Sequence, residues 1–513
     1  MNTKKSRRHQ TLFIILTAAL SGASALGILS VIDTRSIWAD ELSTIYKTVE
    51  LNTPQMIDYL RTDAHPPIYY LALQRWFTFF DPSTTNLRLA SWISYLVGGI
   101  LMTIQTFQLG QKQSNQRAWI AACLGALIVF SSPFALRFSI EGKGYSLMVM
   151  LIAAGLLCRQ NFLTSKRKCQ YRKIYLAGTC ISLACASLTH YYGLFISTSI
   201  VLIDCIKIFM LKDARQKDRV NILISEIIAC LPTIFWALTN LSHLSSGRGI
   251  GWIGKPDYGL FESILANYIG PFPIPKIIIL GISLWILRQK NAISFQNITP
   301  TVLGKYSILD LAGAPAGVLM IFIVIAISFI HPIAYSRYFI VLIPIIAPLF
   351  ALYIARIEPK STFSLFILLS SLALIWTNAQ NDTFGTFSTN QYRASANKSS
   401  NYRAMSMLTA NDVNRYTSNR LDHAKTSDLV AKLDNIIETM PIESWNSISK
   451  SDLNNLKSLP DTMVLAATGK PYEKALRDTI KGLKNNEFLC NIRINKYANV
   501  KIYDCLRQTP ENK

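Results

Sequence analysis

The chain has 513 residues, 50% of them hydrophobic and only 16% charged, with a formal net charge of +22. A charged share so far below the roughly 25% of ordinary soluble domains excludes a soluble globular fold and reads as a membrane protein. The basic excess does not point to nucleic acid, because Lys and Arg fall mainly in short clusters between apolar runs, where they act as topology signals.

Apolar runs near the ~20 residues needed to cross a bilayer recur from Thr11 to Thr377 and predict about eleven crossings. They begin near Thr11, Leu89, Ala118, Gly144, Ile174, Tyr191, Val220, Ile274, Leu311, Tyr338 and Ser361. The fifth and sixth share one apolar stretch and are split at His190, because a single helix of that length would overshoot the hydrocarbon core. Lys4, Lys5, Arg7 and Arg8 precede a run too long for a signal-peptide core, which predicts a retained anchor with a cytoplasmic N-terminus. On that parity the clusters Arg159–Lys173 and Lys207–Arg219 are cytoplasmic loops, and everything after Thr377 lies outside.

The expected organisation is an α-helical polytopic membrane module over 1–378, with a long first outer loop at 33–88, then a small soluble α/β domain over 379–513. Within the outer loop, Met56–Leu60 and Ile68–Phe80 read as short helices in the interface. Leu241–Pro275 is a second outer loop; its Gly249-Ile-Gly251-Trp-Ile-Gly254 fits a nucleotide fingerprint only by chance, since no βαβ unit surrounds it, and a lid over substrate is the softer reading. Seven of nine cysteines lie in or beside spans as small apolar residues, whereas Cys490 and Cys505 flank a predicted hairpin, Phe488–Ile492 with Val500–Tyr503. In an oxidising compartment those two form a disulfide or remain neighbouring thiols; spacing leaves both open.

The chemistry-bearing residues gather in outer loops. Asp40 and Glu41 stand just beyond the first span; such a pair serves either as a solvated loop feature or as a source of a general base. His65, His190, His243 and His331 all fall on the same predicted side, so a divalent metal gathered with Asp63 or Glu141 is an open alternative to no cofactor, although no local ligand spacing supports it. Arg337 beside Tyr338 reads by itself as a snorkelling interface anchor.

Trp38-Ala-Asp40-Glu41-Leu42, Asp63-Ala-His65-Pro66-Pro67-Ile68-Tyr69-Tyr70 and Leu87-Arg88-Leu89 resemble the first outer loop of the bacterial protein O-mannosyltransferase-like group, itself similar to the lipid A aminoarabinose transferases. The ordered resemblance continues through Ser132-Pro133-Phe134, Ser139-Ile140-Glu141-Gly142-Lys143-Gly144-Tyr145, Thr189-His190-Tyr191-Tyr192-Gly193 and Ser336-Arg337-Tyr338. It implies the GT-C glycosyltransferase fold and an inner-membrane enzyme that moves a sugar from a polyprenyl-phosphate donor to a lipid, glycan or protein acceptor on the periplasmic face. It further implies inversion, with Asp40 as base beside Glu41. Asp63, His65, Glu141, Lys143, Tyr145, His190, Tyr191, Arg337 and Tyr338 would then line the substrate site, Arg337 as a contact to the donor phosphate instead of an anchor. Where the family has Glu-Ala-Arg, this chain has Glu141-Gly-Lys143, so a point charge replaces a planar fork. A polytopic transporter or flippase of lipid-linked or small polar solutes is the alternative; it would carry internal repeats and ionisable groups in mid-membrane.

Overall fold

A computed structural model describes residues 2–32, 39–63, 65–111, 115–166, 168–210, 216–241, 253–270, 272–289, 293–295, 307–359, 462–468, 481, 488–494 and 500–507. The chain divides into two units, one of Met1–Ser30, Leu51–Thr78 and Arg88–Gly385, the other of Val31–Glu50, Phe79–Leu87 and Thr386–Lys513.

The helices are α1 (Asn2–Gly27), α2 (Ala39–Ile45), α3 (Thr53–Leu60), α4 (Ile68–Trp76), α5 (Thr84–Gln111), α6 (Asn115–Ser131), α7 (Pro133–Ser139) and α8 (Tyr145–Thr164). They continue as α9 (Arg172–Ser187), α10 (Tyr191–Met210), α11 (Gln216–Thr239), α12 (Tyr258–Ile269), α13 (Pro273–Gln289), α14 (Ile308–Leu311), α15 (Ala314–Ile330) and α16 (Ile343–Ile354). Six stretches among the described residues are long and apolar enough to cross a membrane, and up to eight if each bent pair counts as one span. Lipid-facing positions keep large apolar side chains exposed, such as Phe209, Phe235 and Trp285, which water would not tolerate in such number.

Compared with the expected eleven crossings, α9 has only 16 residues, α15 is a shorter apolar helix, and the crossing expected from Ser361 lies outside the described residues. Two apolar helix pairs are bent: Arg117–Ser131 turns by 56° into Pro133–Ser139, and Tyr258–Ile269 by 61° into Pro273–Ile286. Each bend coincides with a proline, which has no N–H for the helix ladder. The expected break at His190 is present, because α9 ends at Ser187 and α10 begins at Tyr191.

Close backbone approach in the first unit depends on small residues, as membrane helix packing does generally. A Cβ on Gly110 would stand 2.8 Å from the Cα of Ala118, which fixes the α5–α6 contact. A core of Leu109, Ala121, Phe162, Ile222, Leu311 and Leu352 joins six helices, and a short antiparallel pair closes the same unit, β1 (Ile293–Phe295) against β2 (Ile357–Pro359).

In the second unit, β3 (Thr462–Thr468), β4 (Phe488–Ile494) and β5 (Val500–Arg507) form an antiparallel sheet in the order β3-β5-β4. The predicted hairpin is therefore found, and its register sets Cys490 opposite Cys505. Their side chains lie outside the described set.

Two sequence expectations are corrected. Arg159 is not a loop residue but lies inside α8, 4% exposed, and Lys207 lies inside α10. The ionisable groups are also not confined to loops, since Asp204 and Glu226 are buried within α10 and α11. Hydropathy averaged over a span conceals single charges that pair with one another.

Candidate functional site

In the first unit, four chain breaks converge: the loop before α4, the turn before α8, the break between α9 and α10, and the 3-10 segment Ser336–Leu342. Main-chain bonds hold them in place. The N–H of Ile68 donates to the carbonyl of Leu188 at 3.0 Å, linking the start of α4 to the end of α9. Ser91 Oγ donates to the Glu141 carbonyl at 2.7 Å, and the Lys143 N–H donates to that same carbonyl at 2.7 Å, so the turn carrying Glu141 and Lys143 is fixed through its backbone. A Cβ on Gly144 would come within 2.9 Å of Thr189, and only glycine lets the start of α8 approach this closely.

His65 and Asp63 form a pair, Nδ1 to Oδ1 at 2.7 Å. The carboxylate accepts from the Nδ1–H, which fixes the ring and favours its protonated form. His190 is set the other way: its Nδ1 accepts the Tyr192 N–H at 3.1 Å, which leaves Nε2 as the donor. The two rings meet edge to face, with centroids 6.1 Å apart.

His190 is the hub. Its ring lies 5.0 Å from Tyr338, 5.6 Å from Tyr145 and 5.7 Å from Tyr192. Burial holds its pKa well below the usual 6.5, and the positive charges of His65, Arg337 and Lys143 push it in the same direction. The imidazole is therefore neutral at physiological pH, surrounded by cations, in a place that favours an anion.

Arg337 stacks over Tyr335 at 5.1 Å and Tyr338 at 5.5 Å. Its segment is anchored on α10, where Tyr192 Oη donates to the Ile333 carbonyl at 3.0 Å, and on α15, where Ser328 Oγ accepts from the Ala334 N–H at 2.9 Å. Lys143 and Glu141 are buried, and Tyr191 lies within electrostatic reach of Asp63.

The cluster thus brings together Asp63, His65, Lys143, Tyr145, His190, Arg337 and Tyr338, with Tyr191 beside Asp63. Sequence reasoning passed over Tyr192 and Tyr335, although both flank residues it selected; aromatic neighbours of a chosen cation or histidine were the signal available. Arg137, on α7 two residues before Ser139, is exposed. His243 and most of the glycine-rich loop lie outside the described residues. Among the described residues, no three His, Cys, Asp or Glu side chains lie together as a metal would require.

Asp40 and Glu41 belong to the second unit, in the first turn of α2, where the helix dipole favours carboxylates. Glu41 is buried and Asp40 half-buried. Thr44 Oγ1 donates to the Asp40 carbonyl at 2.8 Å, and α2 runs directly into a π-turn, Tyr46–Glu50. Such turns widen the ladder and concentrate at functional sites.

No family model matches the sequence. No curated protein matches it either. Solved structures do. ArnT from Cupriavidus metallidurans bound to undecaprenyl phosphate aligns over 95% of this chain and 97% of its own, at TM-score 0.52 and 11% identity. The apo state of ArnT aligns over 96% and 98%, at TM-score 0.50 and 10% identity. The Saccharomyces cerevisiae protein O-mannosyltransferase Pmt1-Pmt2 complex aligns over 51% of this chain and 36% of its own, at TM-score 0.34 and 16% identity. The two ArnT structures, matched nearly end to end, show that this chain has the fold of ArnT, built here on at least six helices long and apolar enough to cross a membrane.

Proposed function

We propose that the protein is an inverting glycosyltransferase that takes a sugar from a polyprenyl-phosphate donor and passes it to a lipid, glycan or protein acceptor at the periplasmic face of the inner membrane. One observation carries the reading: Lys143, Arg337 and the His65–Asp63 pair surround a buried, neutral His190 within a wall of tyrosines. Cations gathered beside aromatic rings suit a phosphate that gains charge as its sugar departs, and fixed cations lower the barrier to that departure. The same fold in ArnT, whose structure holds undecaprenyl phosphate, supports the choice of donor.

In this reading Arg337 and Lys143 steady the leaving phosphate, while Tyr145, Tyr191, Tyr338 and His190 position the donor, with Asp63, His65 and Glu141 shaping their surroundings. Asp40, helped by Glu41, takes the proton from the acceptor hydroxyl as it attacks the anomeric carbon. A positioned base contributes ~10²–10⁴-fold, so Asp40→Asn should lose that much of its transfer rate. The test incubates purified protein in lipid nanodiscs with radiolabelled polyprenyl-phosphate sugars and membrane extract. Transfer by Asp40→Asn at the parental rate removes the base assignment, and absence of transfer from every donor removes the enzyme.

The buried Asp204 and Glu226 favour a second reading, a solute or lipid-linked sugar transporter, because ionisable groups inside spans mark such pathways. Proteoliposomes that move the labelled donor across the bilayer without transferring its sugar would select it.

A further inference from the structure

Away from the tyrosine-lined cluster, a second group of charges is buried between helices. Arg159 of α8 donates from Nε to Glu226 Oε1 of α11 at 2.9 Å, from Nη2 to Asp204 Oδ2 of α10, and from Nη1 to the Asp310 carbonyl of α14 at 3.2 Å. Lys207, one turn beyond Asp204, reaches Asp310 Oδ1 at 2.6 Å. The side chains of Arg159, Asp204 and Glu226 are 5%, 6% and 0% exposed, so neither water nor headgroups can neutralise them.

Nε–H and the adjacent Nη2–H share one edge of the guanidinium, an edge that ordinarily receives both oxygens of a single carboxylate. Here it receives one oxygen from each of two acids, and this forces their oxygens side by side. The second oxygen of Glu226 meets no hydrogen-bond donor among the described residues, and the charged groups that act on this carboxyl are Asp204 and Arg159. The charge count is also uneven. Lys207 and Asp310 neutralise one another, which leaves a single guanidinium facing two acids. A surplus buried charge at such depth is strongly unfavourable, and one proton removes it.

We propose that Asp204 and Glu226 hold one proton between them, the Glu226 carboxyl donating through Oε2 to the Asp204 carboxylate, so that the triad with Arg159 is neutral and ties α8, α10 and α11 to α14. The tie acts on the site at a distance. Arg159 is 14 residues from the start of α8 at Tyr145, and Asp204 is 13 from the start of α10 at Tyr191, so the junction stands about 20 Å along each helix from its site-bearing end. Asp204 and Glu226 are positioning residues for those ends.

Infrared difference spectroscopy of the full-length protein in nanodiscs tests the proton directly. The parent should show the carbonyl stretch of a protonated, buried carboxylic acid, and Glu226→Gln should abolish that component. Gln reproduces the protonated acid, its oxygen accepting from Arg159 and its amide donating to Asp204, so this variant should fold and melt with the parent. Asp204→Asn should also lose the band, because the remaining Glu226 then ionises against Arg159. The double variant strands the guanidinium and should lose folded protein. A parent without a Glu226-dependent band overturns the proposal, as does a Glu226→Gln protein that is as unstable as the double variant. Neither result bears on the transferase reading, which rests on other residues.

Discussion

Gly193 offers the sharpest test of how the site is held. It sits in the first turn of α10, and a Cβ there would stand 2.3 Å from the Ala186 carbonyl oxygen, 2.6 Å from its carbon and 2.9 Å from the Ser187 nitrogen. All three are main-chain atoms of the last turn of α9, so no rotamer change can relieve the overlap. Ordinary contact begins near 3.4 Å, and Gly193→Ala must therefore push the two helices apart by roughly 1 Å. Overpacking of this kind costs about 1–3 kcal/mol. The same turn holds His190, whose N–H donates to Ala186 and whose carbonyl accepts from the Gly193 N–H at 2.8 Å, so the displacement carries the imidazole with it. On the transferase reading, a misplacement near 1 Å removes on the order of 10²-fold in rate. Thermal unfolding of the detergent-purified protein, followed with the labelled-donor assay, measures both. Gly22→Ala and Gly281→Ala are the controls: nothing lies within 4 Å of either Cβ, and each should be neutral or stabilising by up to about 1 kcal/mol. If Gly193→Ala melts with the controls, the close approach of α9 and α10 does not set the position of His190.

Acid should unfold the protein partly through His190. The unfolded imidazole binds a proton near 6.5 and the buried one does not, so stability falls as pH drops below that value, by at most about 1.4 kcal/mol per pH unit for one group. His190→Gln should flatten the melting-temperature profile between pH 7 and pH 5, and an unchanged slope would show that other groups govern it. Arg337→Ala should weaken binding of undecaprenyl phosphate by about 1.5–3 kcal/mol, the worth of a charge-assisted bond, with Arg337→Lys recovering only part because an ammonium lacks the planar fork. Equal affinity in all three proteins would return Arg337 to the role of an anchor. With Cys490 opposite Cys505 in the sheet, alkylation of the denatured chain without reductant should label the seven other cysteines, and all nine after reduction. Nine labels without reductant would mean two thiols.

Much of the fold is legible in residue order because a bilayer permits few solutions. The break at His190 followed from length alone, and the hairpin around Cys490 and Cys505 from alternation between turn residues. The site was legible only as separate pieces. His65 and His190 are 125 positions apart, and neither hydropathy nor spacing says that α4 begins against the end of α9; that follows from a backbone hydrogen bond and from glycines at 144 and 193. Arg159 misled for a related reason. A basic residue near the end of an apolar run is normally a topology marker, and only its partners on two other helices show that it is buried in an ion pair.

The Ile68–Leu188 bond joins amide to carbonyl, with no side chain taking part. Mutational scanning that replaces either residue with another apolar one will therefore pass over this joint as tolerant. Proline at 68 is the informative exception, since it alone deletes the donor, and it should loosen the loop bearing Asp63 and His65 while leaving both of those residues chemically intact.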